Sequence, residues 1–279
     1  LITCARGVAP VLAGELRDLS FPVLSEGDAV VETEGTLSDT IPLNLSIRTG
    51  QRVLYFLKAF PAGNARDLYR AVSETAWEDI IDDDGYLSVT VTGDTTAVSD
   101  SRFAAVKTKD AIVDRIRERK GRRPDSRPDR HAAVVHLHWA GERARLYLDT
   151  SGEPLSRRGY RKIPLEAPMQ ETLAAAVLLT ARWRGEGNLV NPMCGSGTLA
   201  IEGVLIALRR APGLQRGNFG FMHIRGFDEG DYGKTRRRLK TSAEKTLKGR
   251  IIATDIRPEA VEAARQNART AGVDHLIDF

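Results

Sequence analysis

Cysteine is almost missing from this chain of 279 residues: Cys4 and Cys194 stand far apart, with no Cys-x-x-Cys pair and no histidines at ligand spacing. That scarcity excludes a disulfide framework and a structural zinc site, and no metal is expected. Long apolar runs are absent too. None approaches the roughly 18 residues of a membrane span, and no secretory signal opens the chain, so no membrane partner is expected and a reducing cytoplasm is the expected location. The chain opens on Leu1 rather than Met, directly in an apolar strand, which reads as the loss of a few leading residues. What is present is globular in composition, with 42% hydrophobic and 28% charged residues, and long enough for two or three domains.

Charge is unevenly spread along the chain. Residues 1–50 hold Arg6, Arg17 and Arg48 against seven carboxylates, so the net charge of +4 is all carried further along. A pI near 9.1 with clustered Arg and Lys favours a polyanionic partner. From Arg102 to Arg130 there are 11 basic and 5 acidic residues, and Lys234–Lys248 reads as a second basic helix with one acid, Glu244.

The remaining pattern centres on Leu189–Glu202. A short apolar run (Leu189, Val190) reaches a polar break, Gly195 and Gly197 supply a tight turn, and Thr198 opens an apolar-periodic helix that runs to about Arg209. Such a turn aims free backbone N–H groups at a ligand from the positive end of a helix. Gly195-x-Gly197-x-x-Ala200 also fits the dinucleotide fingerprint, so a nicotinamide-dependent oxidoreductase stays open on this motif alone. An acid at the tip of the second strand would hold the ribose. Asp228 lies nearer the dehydrogenase spacing, but the residues before it make a poor buried strand, whereas Arg250–Thr254 before Asp255 make a good one.

Taken in order, residues 1–60 read as a small α+β unit: strands at Leu1–Cys4, Ala29–Glu32 and Arg52–Phe60, a helix at Val8–Leu19, and a weak helix at Thr36–Ile47 interrupted by Pro42. A helix capped by Asp67, with Leu68, Ala71, Val72 and Ile80 inward, precedes the acidic turn Asp82–Gly85 and an alternating strand through Leu87, Val89 and Val91. The helix from Ser101 to Ile116 should turn Phe103, Val106, Ile112, Val113 and Ile116 inward, with a Pro/Arg-rich loop over Gly121–Arg130 after it. Ala132–Trp139 and Arg143–Leu148 form a hairpin, a helix spans Gln170–Arg184, and Pro258–Ala271 is a helix closed by Gly272. His136 and His138, one side chain apart on a strand, read as core or surface histidines rather than a metal pair. Trp77, Trp139 and Trp183 read as packing residues, and Cys194 as a small turn residue.

Three strings carry a resemblance. Asn191-Pro192-Met193-Cys194-Gly195-Ser196-Gly197-Thr198 resembles the first motif of class I S-adenosylmethionine-dependent methyltransferases acting on nucleic-acid amines, usually worded Asp-Pro-x-x-Gly-Ser-Gly-Thr. Here Asn191 replaces the Asp; it keeps a hydrogen-bond acceptor and brings no charge. The basic helix from Ser101 resembles that of the THUMP RNA-binding module over about residues 62–149, with residues 1–60 similar to the ferredoxin-like segment before it. The linker Asp149-Thr-Ser-Gly-Glu-Pro-Leu-Ser-Arg-Arg-Gly-Tyr-Arg161, followed by Ala167-Pro-Met-Gln-Glu-Thr-Leu-Ala-Ala-Ala176, is similar to that of THUMP-containing enzymes that make N2-methylguanine in RNA.

The resemblance implies an α/β and α+β multidomain chain: ferredoxin-like domain 1–60, THUMP domain 61–149, linker 150–169, and the front part of a Rossmann-like methyltransferase domain, 170–279. It implies S-adenosylmethionine as cofactor and RNA as partner, rRNA ahead of tRNA. The expected cofactor-binding residues are Asn191, Pro192, Met193, Cys194, Gly195, Ser196, Gly197 and Thr198, then Asp255, Ile256, Glu171 and Thr172. Those expected to bind RNA are Arg102, Lys107, Lys109, Arg122 and Arg123, and Arg158, Tyr160 and Arg161 in the linker. A purely RNA-binding module is the alternative from another class.

Methyl transfer needs the amine lone pair in line with the methyl carbon and water kept out. The resembled group aligns the amine with an Asn-Pro-Pro-Tyr-type motif after its fourth strand, and these 279 residues contain no Pro-Pro pair. The chain as written is therefore expected to transfer no methyl group, since even about 1 Å of misplacement can cost roughly a hundredfold. Both catalytic-domain helices should also be left partly uncovered and prone to aggregation. Tritiated-methyl incorporation into unmodified rRNA and tRNA, comparing this chain with a longer one that includes the motif, measures the loss; appreciable turnover by the short form would place the acceptor site elsewhere.

Overall fold

The computed structural model describes residues 1–81, 86–94, 100–122, 124–126 and 130–279. The elements begin β1 (Ile2–Cys4), α1 (Ala9–Asp18), β2 (Val23–Glu26), β3 (Val30–Thr33), α2 (Thr40–Ser46), β4 (Gly50–Pro61) and α3 (Ala65–Ser73). Next come β5 (Tyr86–Thr92), α4 (Ser101–Lys120), β6 (Asp125–Ser126), β7 (Ala133–Ala140) and β8 (Arg143–Asp149). The last are α5 (Glu171–Thr180), β9 (Leu189–Asn191), α6 (Thr198–Ala207), α7 (Glu229–Thr241), β10 (Ile251–Ala253), α8 (Pro258–Ala271) and β11 (Ile277–Asp278). They form two compact units, neither a continuous stretch. The first takes Arg52–Glu153 with Asn218–Asp228 and Leu1; the second takes Ile2–Gln51, Pro154–Gly217 and Glu229–Phe279.

In the first unit the strands run β4-β8-β7-β5-β6, with β4, β8 and β7 antiparallel and β7, β5 and β6 parallel. Helices α3 and α4 pack together and α4 lies on β5. Asn64 caps α3, its Oδ1 accepting from the N–H groups of Arg66 (2.9 Å) and Asp67 (3.0 Å). Asp67, expected as the cap, instead places its charge in the first turn, where the helix dipole favours it. Leu68, Ala71 and Val72 are buried as expected, while Ile80 falls outside α3, beyond the 3-10 turn Trp77–Asp79.

The buried face of α4 differs from the expected one. Ala104, Thr108, Ala111, Ile112, Val113 and Ile116 are inside, whereas Phe103 and Val106 are about half exposed. Small residues at positions 104, 108 and 111 form a stripe at helical spacing that lets the helix approach its neighbours closely, and this turns the larger Phe103 outward. The acidic turn at 82–85 lies outside the described residues, as do Arg123 and most of the Pro/Arg-rich loop.

Residues 218–228 also belong to this unit. Phe219 and Phe221 are buried and stacked with ring centres 5.0 Å apart, and the Phe221 N–H donates to the Thr150 carbonyl at 2.9 Å. A Cβ on Gly220 would stand 2.2 Å from the Asp149 carbonyl oxygen, so only glycine fits there.

In the second unit β2, β3 and β1 form an antiparallel sheet and β11, β10 and β9 a parallel one. Exposed β2 carried no alternation and was not legible in the sequence. Pro42 sits in the first turn of α2, where its missing N–H has no intrahelical partner to lose, so it does not interrupt the helix. The basic helix expected at Lys234–Lys248 is shifted to Glu229–Thr241: Glu229 and Asp231 favour its first turn and Arg238 and Lys240 its last. Helix α5 stops at Thr180, with Leu173 and Val177 exposed; α6 is buried almost throughout, so of these two only α5 shows an uncovered apolar side. Helix α8 ends at Gly272, at φ 68°, as the sequence indicated. No helix among the described residues is long and apolar enough to cross a membrane.

His136 on β7 is held by Thr90 Oγ1 at 2.8 Å and Thr92 Oγ1 at 3.0 Å, and burial, reinforced by Arg52, His138 and Arg130, pulls its pKa down to about 4. An unfolded histidine titrates near 6.5, so the unfolded chain takes up this proton first as pH falls. The stability His136 contributes is thus complete above about pH 6.5 and is lost on the way down to about 4. His138 and His223 shift in the same direction, again through burial first. The urea midpoint should fall over this window, and His136→Gln should make the fall shallower. An unchanged pH profile in that variant would assign the loss to other groups.

Candidate cofactor site

The parallel register pairs Asn191 with Ala253, so the chain leaves β9 and β10 side by side at their carboxyl ends. Ligands of open α/β sheets bind at that edge. The two exits are laced together: the Thr254 N–H donates to the Asn191 carbonyl and the Cys194 N–H to the Thr254 carbonyl, both at 2.9 Å. Gly195 (φ 51°) and Gly197 (φ 85°) are left-handed, and Gly197 caps α6. A Cβ on Gly197 would approach Ala264 Cβ to 2.9 Å, so the glycine also permits α8 to come close.

Asp255 is the acid that meets this loop. Its Oδ2 accepts the Gly195 N–H at 2.9 Å and its Oδ1 the Arg257 N–H at 3.1 Å. The backbone N–H groups of Arg257 and Gly195 hold its carboxyl below the usual range, so it is ionised and each oxygen keeps a lone pair for a further donor. Asp228 belongs to the first unit. Met193 and Ile256 project from the strand exits, 83% and 96% exposed, while Asn191, Cys194, Ser196 and Thr198 are buried and Pro192 is exposed. Burial, then the Asp255 charge, pushes the Cys194 thiol up, so it stays protonated.

The linker residues expected to touch RNA are placed differently. Arg158 and Tyr160 are each 1% exposed and therefore offer RNA no surface. Both meet Glu202 of α6: Tyr160 donates its hydroxyl to Oε1 at 3.0 Å, and Arg158 Nε lies 3.5 Å from the same oxygen. A carboxylate buried in an otherwise apolar helix needs such partners, and that need draws the linker inward. Arg161 is engaged as well, donating to the Met169 carbonyl and the Thr198 hydroxyl (3.1 Å) and pairing with Glu171 at 3.1 Å. Glu171 and Thr172 are buried at the start of α5; burial raises the Glu171 carboxyl and Arg161 opposes that rise.

Sequence reasoning missed Asn267. Fully buried on α8, it accepts at Oδ1 from the N–H groups of Lys162 (2.8 Å) and Ile163 (3.0 Å) and donates from Nδ2 to the carbonyls of Ile163 (2.9 Å) and Ser196 (3.0 Å). One side chain thus ties the linker to the glycine loop. The signal was a polar residue on the alanine stripe Ala260, Ala264, Ala268 and Ala271. In the first unit, Arg102, Lys107, Lys109 and Arg122 lie on α4 or just after it; Arg102 pairs with Asp100 and Lys109 with Asp110.

A glycine turn and a strand-end acid on a parallel sheet fit a class I methyltransferase type of domain. Models of known families match along the chain: the RlmL ferredoxin-like domain at 1–54, the THUMP domain at 62–149, and the RMKL-like methyltransferase domain at 158–279. The chain thus carries a THUMP domain and an RMKL-like methyltransferase domain. Ribosomal RNA large subunit methyltransferase K/L of Psychromonas ingrahamii is 37% identical over all of this chain and 37% of its own length. The protein of that name from Syntrophotalea carbinolica is 40% identical over 99% of this chain and 40% of its own. The chain therefore spans about two fifths of these relatives. Among solved structures, SMU.472 complexed with SAH superposes with a TM-score of 0.87 at 27% identity, over 99% of this chain and 73% of that one. A predicted N6-adenine-specific DNA methylase from Listeria monocytogenes gives 0.87 at 30% identity, over 100% and 73%.

Removing the Asn267 amide would leave the Ser196 carbonyl and two linker N–H groups without their partner, at about 1–3 kcal/mol per unsatisfied buried group. Asn267→Ala should lower the unfolding free energy from urea denaturation by an amount in that range or above it, with a lower midpoint, and Gly197→Ala should lower both through backbone strain and the Ala264 contact. A midpoint for Asn267→Ala equal to that of the parent would remove the hub role.

Proposed function

We propose that this chain supplies the RNA-binding and methyl-donor parts of an S-adenosylmethionine-dependent enzyme that methylates the exocyclic N2 amine of a guanine in large-subunit rRNA. The observation that carries the reading is the Asp255 carboxylate bonded to the Gly195 N–H at the carboxyl ends of β9 and β10, in a chain that also holds a THUMP domain. The curated relatives carry an rRNA methyltransferase name and the SMU.472 structure holds SAH; the linker string resembles that of N2-guanine enzymes.

Each residue has a definable task. The free lone pairs of Asp255 accept the two ribose hydroxyls, the Gly195–Gly197 turn, its own N–H groups bonded to Asp255 and the Cys194 carbonyl, lies at the polar end of the ligand, and Met193 and Ile256 cover its flat apolar part. Asn191, in place of the usual Asp, offers an acceptor without charge. When bound, the cofactor supplies an electrophilic methyl group. The chain holds that donor still and leaves proton transfer aside, because a sulfonium needs alignment more than acid–base help.

Isothermal titration of the full-length protein with S-adenosylmethionine should show binding that Asp255→Ala weakens by tenfold or more, since two charge-assisted hydrogen bonds are lost. Tight NADH binding with no S-adenosylmethionine binding would overturn the cofactor assignment. Mapping the methylated base in rRNA then decides the acceptor, and a product at adenine N6 would replace the guanine reading.

A further inference from the structure

We propose that a groove on the second unit, remote in sequence from the glycine loop, holds the sugar–phosphate backbone of the RNA. This rests on the RNA-methyltransferase reading and adds where the strand is held. The groove encloses about 1030 Å³ between the residues that follow α6, the C-terminal end of α8, the linker at Gly159–Lys162 and the chain from Lys240 to Lys245. Lys162, Arg210, Lys240 and Lys245 line it, with Glu244 the one acid.

The state of these cations separates the groove from the basic helix that the sequence singled out. On α4, Arg102 pairs with Asp100, Lys109 with Asp110, Arg117 with Asp114, and Arg115 and Arg119 with Glu78. Five cations of this helix are thus matched, which leaves Lys107 and Lys120 on it and Arg122 just after it without a carboxylate at ion-pair distance among the described residues. Lys162, Lys240 and Lys245 are exposed and, among the described residues, reach no carboxylate within ion-pair distance. Arg210 is held by the carbonyls of Ala271 (3.2 Å) and Gly272 (3.5 Å), which fixes a positive charge in the groove wall. Beside it, Gln215 donates to the Ala271 carbonyl at 3.3 Å while its buried Oε1 meets no protein donor among the described residues.

Flexible unmatched lysines over a fixed guanidinium suit a chain of phosphates, which rewards positive charge without demanding one geometry. Small-ligand sites are enclosed and mostly apolar; this groove is partly open and lined by polar and apolar side chains alike, and its volume exceeds what one free anion fills. Contacts of this kind position RNA without reading its sequence. The Lys162 backbone N–H also bonds Asn267, which holds the glycine loop, so the proposed grip and the methyl donor share one rigid set of residues.

The test is RNA binding by the full-length protein, using an unmodified large-subunit rRNA transcript over a salt series. The variant combines Lys162→Ala, Lys240→Ala and Lys245→Ala. Losing three phosphate contacts should reduce the log–log salt slope by about 2–3 and weaken binding at least tenfold at low salt. S-adenosylmethionine affinity should stay at the parent value, and replacement of all three by Arg should restore RNA binding. An unchanged slope and affinity in the alanine variant, with steep binding by the parent, would overturn the groove and leave the RNA reading standing. Loss of inorganic phosphate binding without loss of RNA binding would make it a free-anion site and overturn it too. A parent that shows no salt-dependent RNA binding would overturn both.

Discussion

The buried carboxylate of Glu202 is the constraint on which the second unit depends. It stands in the apolar helix Thr198–Ala207, where an unmatched charge would cost several kcal/mol; its hydrogen bonds come from a single short segment, Arg158 and Tyr160, and the Arg48 guanidinium adds a further positive charge. Two contacts from residues two apart fix that segment in register. Arg161 then falls beside Thr198 and Glu171, and the next two N–H groups fall on Asn267. Glu202 Oε2 meets no hydrogen-bond partner among the described residues, so the network is not fully compensated; its effect is better described as fixing one arrangement than as adding stability. The arrangement fixed is that of the glycine turn.

A second buried set draws the first fifty residues into the same unit. Glu15 on α1 accepts from the N–H groups of Arg48 (2.8 Å) and Thr49 (2.9 Å), and burial raises its carboxyl. Arg48 donates to the carbonyls of Leu205 (3.3 Å) and Arg210 (3.0 Å) at the end of α6, and its own carbonyl accepts from Arg158. Carbonyls at a helix C-terminus lack intrahelical donors, and a guanidinium satisfies them while opposing the negative end of the dipole. Gly213 lies so close to Leu45 that a Cβ would come within 2.6 Å of Leu45 Cα. The ferredoxin-like segment thus packs against the methyltransferase-like residues over both side chains and backbone.

What the sequence disclosed follows from which signals are local. The glycine turn, the strand before Asp255 and helix α8 with its Gly272 cap were legible, because turn chemistry, apolar runs and caps are written in adjacent residues. The inward face of α4 was not: hydrophobicity pointed to Phe103 and Val106, whereas close packing selected Ala104, Thr108 and Ala111. The linker was misread for a related reason. Arg158-Gly-Tyr-Arg161 looks like an RNA contact by composition, and only a carboxylate some forty residues later shows that two of its side chains are internal. Asn267 was overlooked because its partners lie 71 and about 104 residues away.

The distribution of burial around the site separates holding from reacting. The side chains beneath the loop are inside: Ser196, Thr198, Glu202 and Asn267 are buried, and Asn267 makes four hydrogen bonds. Two of the most exposed apolar residues of the unit, Met193 and Ile256, stand at the exits of adjacent parallel strands, one on each side of the Gly195–Asp255 bond. A surface this apolar at a strand end is costly in water, at about 25 cal/mol for each Å² left uncovered, and a flat ligand laid against it recovers that cost as affinity. The same ligand would shield the Asp255 carboxylate from solvent and strengthen its hydrogen bonds, since charges interact more strongly where water is excluded. In the proposed site, rigid polar groups beneath and exposed apolar ones above would therefore complement each other: the first would fix where the ligand's hydroxyls go, and the second would supply the energy for placing them there.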